Sequence, residues 1–347
     1  MRVSVVIPTY NRGEKLAATL EPVLRNRTEG LEAVEVIVVD DGSPVPAAPV
    51  VGAFAPPPPF SLRCIRQKNA GPAAARNTGF RASAGDLVIF IDDDIISPPD
   101  LISRHVEAHR ARPRSVICGR CPFVEPDTVT PLFRFVNSLY DAGGRAAEDF
   151  TEIRVVASGQ ISVEREMFDP GRGVYRDDLA TPAAEELELS FRLQELGVPV
   201  YAANNIVALH DHPVALESMC TQQYKHAVGY GEVFVKCPDT FKLREVGDVV
   251  RGNRPAGRGD SAGAVVRKSL KAALSTRPAR SAALRLAKLM ERVAPRESLL
   301  APVYHTLIGL HFFAGVREGL RRYSENAKPG RAGAAPGAEQ SDAADNS

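Results

Sequence analysis

The sequence predicts an α/β fold: a largely parallel sheet with helices on its faces, then a helical C-terminal extension. Three observations predict it. Continuous β-branched apolar runs appear at "VSVVIP", "VEVIVVDDGS" and "DLVIFIDDD", as expected of strands buried on both faces. Segments with helical apolar spacing lie between and beyond them. Each run ends in polar residues, and parallel sheets gather their ligands at the carboxyl ends of their strands.

Taken in order, Val3–Pro8 is the first strand. Asn11 follows as an expected helix cap with Glu14 three residues on, and Leu16, Leu20, Val23 and Leu24 keep helical spacing. The second strand runs from Val34 and ends at Asp40 and Asp41. "PVPAAPVVGAFAPPPPF" then reads as a proline-rich surface loop. Leu62–Gln67 is a third strand. A helix opening at Gly71-Pro72 closes by Gly85. The fourth strand ends at Asp92, Asp93 and Asp94, and Ser97-Pro98-Pro99-Asp100 starts another helix. Further on, "SVICGR" and "IRVVASGQISV" read as strands, Thr181-Pro182 opens a helix to Leu196, and "VPVYAANNIVALHDHP" gives one or two strands ending at His210 and His212. From about residue 214 the pattern is helical.

The chain has 347 residues, 44% hydrophobic and 24% charged, enough for one large or two small cores. Its net charge of +1 conceals an asymmetry. Residues 1–250 carry 26 Lys and Arg against 34 Asp and Glu, whereas 251–292 carry 11 basic side chains against Asp260 and Glu291. That basic segment lacks interleaved aromatics, which argues against nucleic acid. Its sharper reading is attraction to anionic lipid headgroups or a lipid-diphosphate acceptor, and its bland one is a solvated helical face. The five cysteines include one lone CxxC, Cys118 and Cys121, read as small buried residues in a reducing compartment. No secretory leader pattern follows Met1. "LLAPVYHTLIGLHFFAG", Leu299 to Gly315, holds a proline and two histidines and reads as a packed or interfacial helix rather than a span.

The chemistry centres on Asp92-Asp93-Asp94. Three carboxylates leaving a core strand need a cation, and all-oxygen ligands suit Mg²⁺ or Mn²⁺, which also take phosphate oxygens. Arg76, on the helix after Gly71, offers a fork for phosphate. Asp40 can accept hydrogen bonds from a nucleobase or ribose. Pro8-Thr9-Tyr10-Asn11 and Asn69-Ala70-Gly71 are the other polar strand ends. Neither GxGxxG nor GxxxxGK[ST] occurs, so the dinucleotide and P-loop readings lack their fingerprints.

"VVIPTYNR", "VIVVDDGS", "NAGPAAARNTG", "FIDDDI" and "EELELSFRLQELG" fall in the order seen in family 2 glycosyltransferases, and the chain resembles that family over about residues 2–235. The resemblance implies the GT-A type of fold, a Rossmann-like nucleotide-binding sheet with a mixed acceptor-side half. It places the transferase domain at residues 1–235, with 1–115 holding the nucleotide sugar and 116–235 the acceptor; pattern and charge read 236–329 as a basic helical extension, and composition reads 330–347 as a disordered tail. The resemblance implies inverting transfer of a sugar from a nucleotide-diphosphate sugar to an acceptor hydroxyl, lipid-linked acceptors included, in the cytoplasm or at the cytoplasmic membrane face.

Carried over by position, Pro8, Thr9, Tyr10, Asn11, Asn69 and Gly71 line the nucleotide pocket, Asp40 binds the base and Arg76 the nucleotide. Asp92 and Asp93 contact ribose and order the metal shell. Asp94 is the direct ligand of Mn²⁺ or Mg²⁺, and His210 lies near metal or diphosphate. His212 is a weaker candidate. The family's base is the aspartate of a Glu-Asp pair. Here Glu185-Glu186 stands instead, so Glu186 takes that role with Glu185, then Glu188, as fallback. Gly159-Gln160 replaces a commoner Gly-Asn pair on the acceptor side. Two other classes fit less well: a sugar-phosphate nucleotidyltransferase, for which "PTYNRGEK" is a poor loop, and a non-catalytic nucleotide-sugar binding module.

Overall fold

The computed structural model describes residues 1–140, 148–156, 159–179, 181–242, 244–254, 256–257 and 259–326. The expected tail at 330–347 lies outside the described residues. The strands are β1 (Arg2–Thr9), β2 (Ala33–Asp40), β3 (Phe60–Arg66), β4 (Leu87–Ile91), β5 (Ile95–Ile96), β6 (Val116–Arg120), β7 (Phe150–Ile153), β8 (Gln160–Glu164), β9 (Val200–Val207) and β10 (Leu209–His210). The helices are α1 (Gly13–Val23), α2 (Ala48–Gly52), α3 (Pro72–Ala82), α4 (Leu101–Ala111), α5 (Pro131–Tyr140), α6 (Ala184–Glu195), α7 (Leu216–Lys236), α8 (Arg244–Asn253), α9 (Ala262–Leu274), α10 (Arg277–Val293) and α11 (Glu297–Asn326).

Eight strands pair in the order β3-β2-β1-β4-β8-β6-β9-β7. The β3-β2-β1-β4 half is parallel, and β8 enters antiparallel to both β4 and β6, so the second half is mixed. The fold is an α/β sheet of the GT-A type, as the sequence predicts. Thr9 pairs with Asp40, so β1 and β2 end on the same row.

Strand alternation explains the uniform apolar runs. Val3, Val5 and Ile7 of β1 pack with Leu16 and Leu20 of α1 and Leu101 of α4, while Val6 packs the other way with Ala75 and Phe80 of α3 and Leu189 of α6. A second core, with Phe135, Met219, Tyr304 and Leu307, joins α5, α7, α10 and α11. The α7–α11 contact is close because glycines line it. A Cβ on Gly315 would sit 2.3 Å from the Tyr224 carbonyl oxygen, and one on Gly319 2.4 Å from that of Val228.

Three local readings change. Asn11 does not cap α1: it takes φ 54, Arg12 is the residue before the helix, and the Asn11 N–H donates to Ser43 Oγ at 2.9 Å. The turn needed to reach the β2 end excludes the extended cap conformation. The proline-rich segment contains α2, anchored by Ala47 and Val51 in the core. The helix expected from Thr181 starts at Ala184, after Ala183 at φ 69.

Under the site, β8 meets α4 through buried polar groups. His105 places Nδ1 2.8 Å from Ser162 Oγ and Nε2 3.1 Å from Gln160 Oε1, and His109 Nε2 lies 2.8 Å from the same serine. Burial, joined by the neighbouring His109, pushes His105 down to about 4, against about 6.5 for a free histidine. Above pH 6.5 both folded and unfolded chains hold this group neutral. As pH falls from 6.5 towards 4 only the unfolded chain takes the proton, so stability is lost, on the order of 3 kcal/mol. Urea unfolding at pH 7 and pH 5 measures this. His105→Asn is expected to lose less stability across that interval than the parent, and parallel losses would contradict the assignment.

Candidate active site

The strand β4 is buried along its whole length and delivers Asp92, Asp93 and Asp94 to its carboxyl end. Three like charges there need counter-charge, since neighbouring carboxylates at an effective dielectric of about 20 repel by about 4 kcal/mol at 4 Å. Two guanidinium groups supply it. Arg12 donates from Nη1 to Asp93 Oδ1 at 2.8 Å and from Nη2 to Asp94 Oδ2 at 2.7 Å, and Thr9 Oγ1 donates to Asp93 Oδ2 at 2.7 Å. Arg76, buried, donates from Nη2 to Asp92 Oδ1 at 2.7 Å and from Nη1 to Glu185 Oε1 at 3.1 Å.

The second strand pair, β5 with β10, brings in the histidines. Ile95 pairs with His210, so the ladder sets the imidazole beside the residue before Ile95. His210 Nε2 is 3.1 Å from Asp94 Oδ1, and His212 Nδ1 is 3.6 Å from Oδ2. Phe123 stacks on the His210 ring at 5.1 Å and fixes its plane. Asp94, His210 and His212 each offer a ligand atom within 4.8 Å of the others. One carboxylate oxygen with two imidazoles fits a divalent transition ion, Mn²⁺ more readily than Mg²⁺.

Protonation follows these contacts. Burial works against the Asp94 carboxylate, but hydrogen bonds from His210 and His212 and the Arg12 charge hold its pKa well below the carboxylate range. Asp93 goes the other way: burial, aided by Asp94 and Asp92, lifts it to about 6 against Arg12 and Thr9. Burial alone would lower His210, yet Asp94 raises it.

Two clefts meet at this point. The first, about 620 Å³, is lined by Pro8, Thr9, Tyr10, Asn69, Gly71, Arg76, the three aspartates and His210, together with Arg12, Asp41, His212 and Gln222. The second, about 600 Å³, holds Glu185, Glu186, Pro182, Ala183 and His226. Both are bounded by Pro72, Arg76, Asp92, His210 and Gln222. Of the residues expected in the site, ten line the first cleft and both glutamates the second. Glu185 is buried and paired to Arg76, while Glu186 is half-buried on the next position of the first helical turn.

Three expected residues stand outside both clefts: Asp40, Asn11 and the fallback Glu188, which accepts from Arg192 Nε at 3.1 Å. Asp40 is buried, and its oxygens accept from the Ser43 and Ala47 N–H groups at 2.8 and 3.0 Å, with Arg66 at 3.3 Å. It shapes the loop after β2 rather than facing the cleft. Asn11 meets Ser43 by its backbone. Gln160 is fully buried with its amide given to His105 and the Arg120 carbonyl, so it offers nothing to an acceptor. Gly159 takes φ 127, and a Cβ there would sit 2.8 Å from Cys121 Sγ, so the glycine serves a close turn. All five cysteines are free. Sequence reasoning missed Arg12, Asp41 and Gln222. Arg12 lay inside the quoted "PTYNR", whereas Gln222 gave no local signal.

Comparison with known proteins bears on the family and the fold. The profile of glycosyl transferase family 2 matches residues 4–169. Validoxylamine A glucosyltransferase of Streptomyces hygroscopicus subsp. jinggangensis is 34% identical over 224 residues, 57% of this chain and 52% of its own. Undecaprenyl-phosphate 4-deoxy-4-formamido-L-arabinose transferase of Serratia proteamaculans is 38% identical over 107 residues, 30% of this chain and 33% of its own. The chain thus spans from about a third to about half of the length of these relatives. The mannosyltransferase PcManGT from Pyrobaculum calidifontis, solved in complex with GDP-Man and Mn²⁺, has the same fold, with a TM-score of 0.57 and 18% identity over 90% of this chain and 86% of that one. Over residues 4–169, just under half of its length, the chain matches glycosyl transferase family 2.

Proposed function

We propose that this chain transfers a sugar, with inversion, from a nucleotide-diphosphate sugar to an acceptor hydroxyl, and that it does so with a divalent metal. One observation carries the reading: the cleft with Asp94, His210 and His212 and the cleft with Glu186 share the wall formed by Arg76, Asp92 and His210. A leaving diphosphate and an attacking hydroxyl can therefore approach one anomeric carbon from opposite sides. PcManGT, with its GDP-Man and Mn²⁺, supports the choice of donor class and metal.

In this reading Pro8, Thr9, Tyr10, Asn69 and Gly71 bind the nucleoside, with the half-exposed Tyr10 ring available to stack on the base. Asp92 and Asp93 face ribose and keep Asp94 oriented. Asp94, His210 and His212 hold the metal, which when bound supplies positive charge against the departing diphosphate. Arg76 adds fixed charge on the same side, held in place by Asp92 and Glu185. Glu186 removes the proton from the acceptor hydroxyl as the new glycosidic bond forms. Its extra methylene, relative to aspartate, is accommodated because it stands in the first turn of α6 on the wall of the second cleft. The catalytic unit is residues 1–235, with helices α8 to α11 appended to it.

Two outcomes test the roles. Glu186→Gln is expected to bind nucleotide sugar with metal as the parent does, while release of nucleoside diphosphate falls on the order of 10²- to 10⁴-fold. Normal turnover by this variant would move the base to Glu185. His210→Ala is expected to weaken Mn²⁺ binding on the order of 10- to 100-fold, comparable with losses at supporting metal positions. Unchanged Mn²⁺ affinity by calorimetry would remove the histidine from the metal shell.

A further inference from the structure

The helices α9 and α10 carry a surface that the transfer reaction does not use. On α9, Val266, Leu270 and Leu274 recur every four residues, so they stack along one side, and they are 68%, 58% and 45% exposed. On α10, Leu286, Leu289 and Val293 repeat at three and four, and they are 57%, 56% and 75% exposed. Six large apolar side chains facing water on two short helices is not the pattern of a solvated helical face, which keeps such residues inward.

Basic residues flank both rows. Arg267 and Lys271 follow Val266 and Leu270 by one position, and Arg285 and Arg292 precede Leu286 and Val293 by one. All four are exposed. Residues 261–293 contain eight Lys and Arg against Glu291 alone, and that glutamate accepts from Tyr304 Oη at 2.8 Å. Of these eight, Lys268 is buried against Asp260. Beside Leu286, α10 and α11 enclose an apolar groove of about 300 Å³ with Pro302, Val303, Leu307 and Leu310 on its wall. The helix α11 is long and apolar enough by composition to cross a membrane, yet only 33% of its most apolar window is buried.

We propose that the α9–α10 face docks on an anionic lipid bilayer, with the leucines and valines entering the headgroup boundary and the arginines meeting lipid phosphates. Charge selects this occupant. A second copy would oppose the same basic face with its own, and a nucleic acid would leave the apolar rows in water with no aromatic to stack on. The inference is independent of the donor site, and nucleotide-sugar binding by the same preparation separates failure of one from failure of the other.

The test is flotation of the full chain with vesicles of phosphatidylcholine, with or without phosphatidylglycerol. The parent is expected to float with anionic vesicles at low salt, to do so at least about tenfold less with neutral ones, and to be released by salt. Arg267→Gln with Arg285→Gln and Arg292→Gln should lose the anionic preference. Leu270→Ser with Leu286→Ser and Leu289→Ser should lose most flotation even at low salt. Circular dichroism and the thermal midpoint establish that both variants fold. Absence of flotation with anionic vesicles, equal flotation with neutral ones, unchanged flotation of both variants, or binding to soluble polyglutamate in place of vesicles would each overturn the proposal.

Discussion

The site depends on how the charge of Asp92, Asp93 and Asp94 is balanced at the end of a buried strand. The chain places two arginines on opposite sides of that cluster. Arg76 comes from α3 and holds Asp92 and Glu185, and Arg12 comes from the turn after β1 and holds Asp93 and Asp94. These are different commitments. Arg76 is buried and fixed between two carboxylates, so it is part of the scaffold, and removing it would strand buried charge, a loss of about 3–5 kcal/mol. Arg12 keeps about a third of its side chain exposed, and its contacts can be exchanged for those of a stronger cation. Asp94 faces Arg12 on one oxygen and His210 on the other, a position suited to that exchange.

Topology turns this cluster into a site. Parallel pairing of β1, β2 and β4 brings their polar ends to one edge, and the short β5–β10 ladder returns the chain from far downstream so that His210 meets Asp94. The sheet continues through antiparallel β8 into the mixed half, where α6 sets Glu186 across the shared wall. The two clefts are therefore built from distant parts of the chain yet share Pro72, Arg76, Asp92, His210 and Gln222. Elsewhere, the glycine-lined contact of α7 with α11 carries the C-terminal helices. It anchors the apolar and basic face of α9 and α10 to the same body.

Much of this was legible in the residues, for identifiable reasons. β1, β2 and β4 are buried on both faces, so their apolar runs are continuous and their polar ends stand out. β5, β7 and β10 span only two to four residues and offer no period to read. Of two adjacent aspartates, the sequence pointed to Asp40 for the base pocket, but adjacent side chains at a strand end point in opposite directions. Asp41 lines the cleft while accepting from the Ala70 and Gly71 N–H groups at 2.9 Å, and Asp40 turns to the N–H groups of its own loop. Arg12 carries no signal of its own in the sequence, because a long side chain at a helix start has many reachable partners. Glu186 was reached through family resemblance, since a glutamate pair in a first helical turn is ordinary helix electrostatics on its own.

The central claim is that the strand-end carboxylates and histidines form a cradle in which metal and diphosphate bind together. Calorimetric titration of nucleoside diphosphates, with and without Mn²⁺, tests it most directly, with Asp94→Asn as the control. The account predicts that one nucleoside diphosphate binds at least about tenfold more tightly with Mn²⁺, that Mn²⁺ in turn binds more tightly with that nucleotide, and that Asp94→Asn abolishes this coupling. Equal nucleotide affinity with and without metal, or coupling that survives in Asp94→Asn, would contradict it.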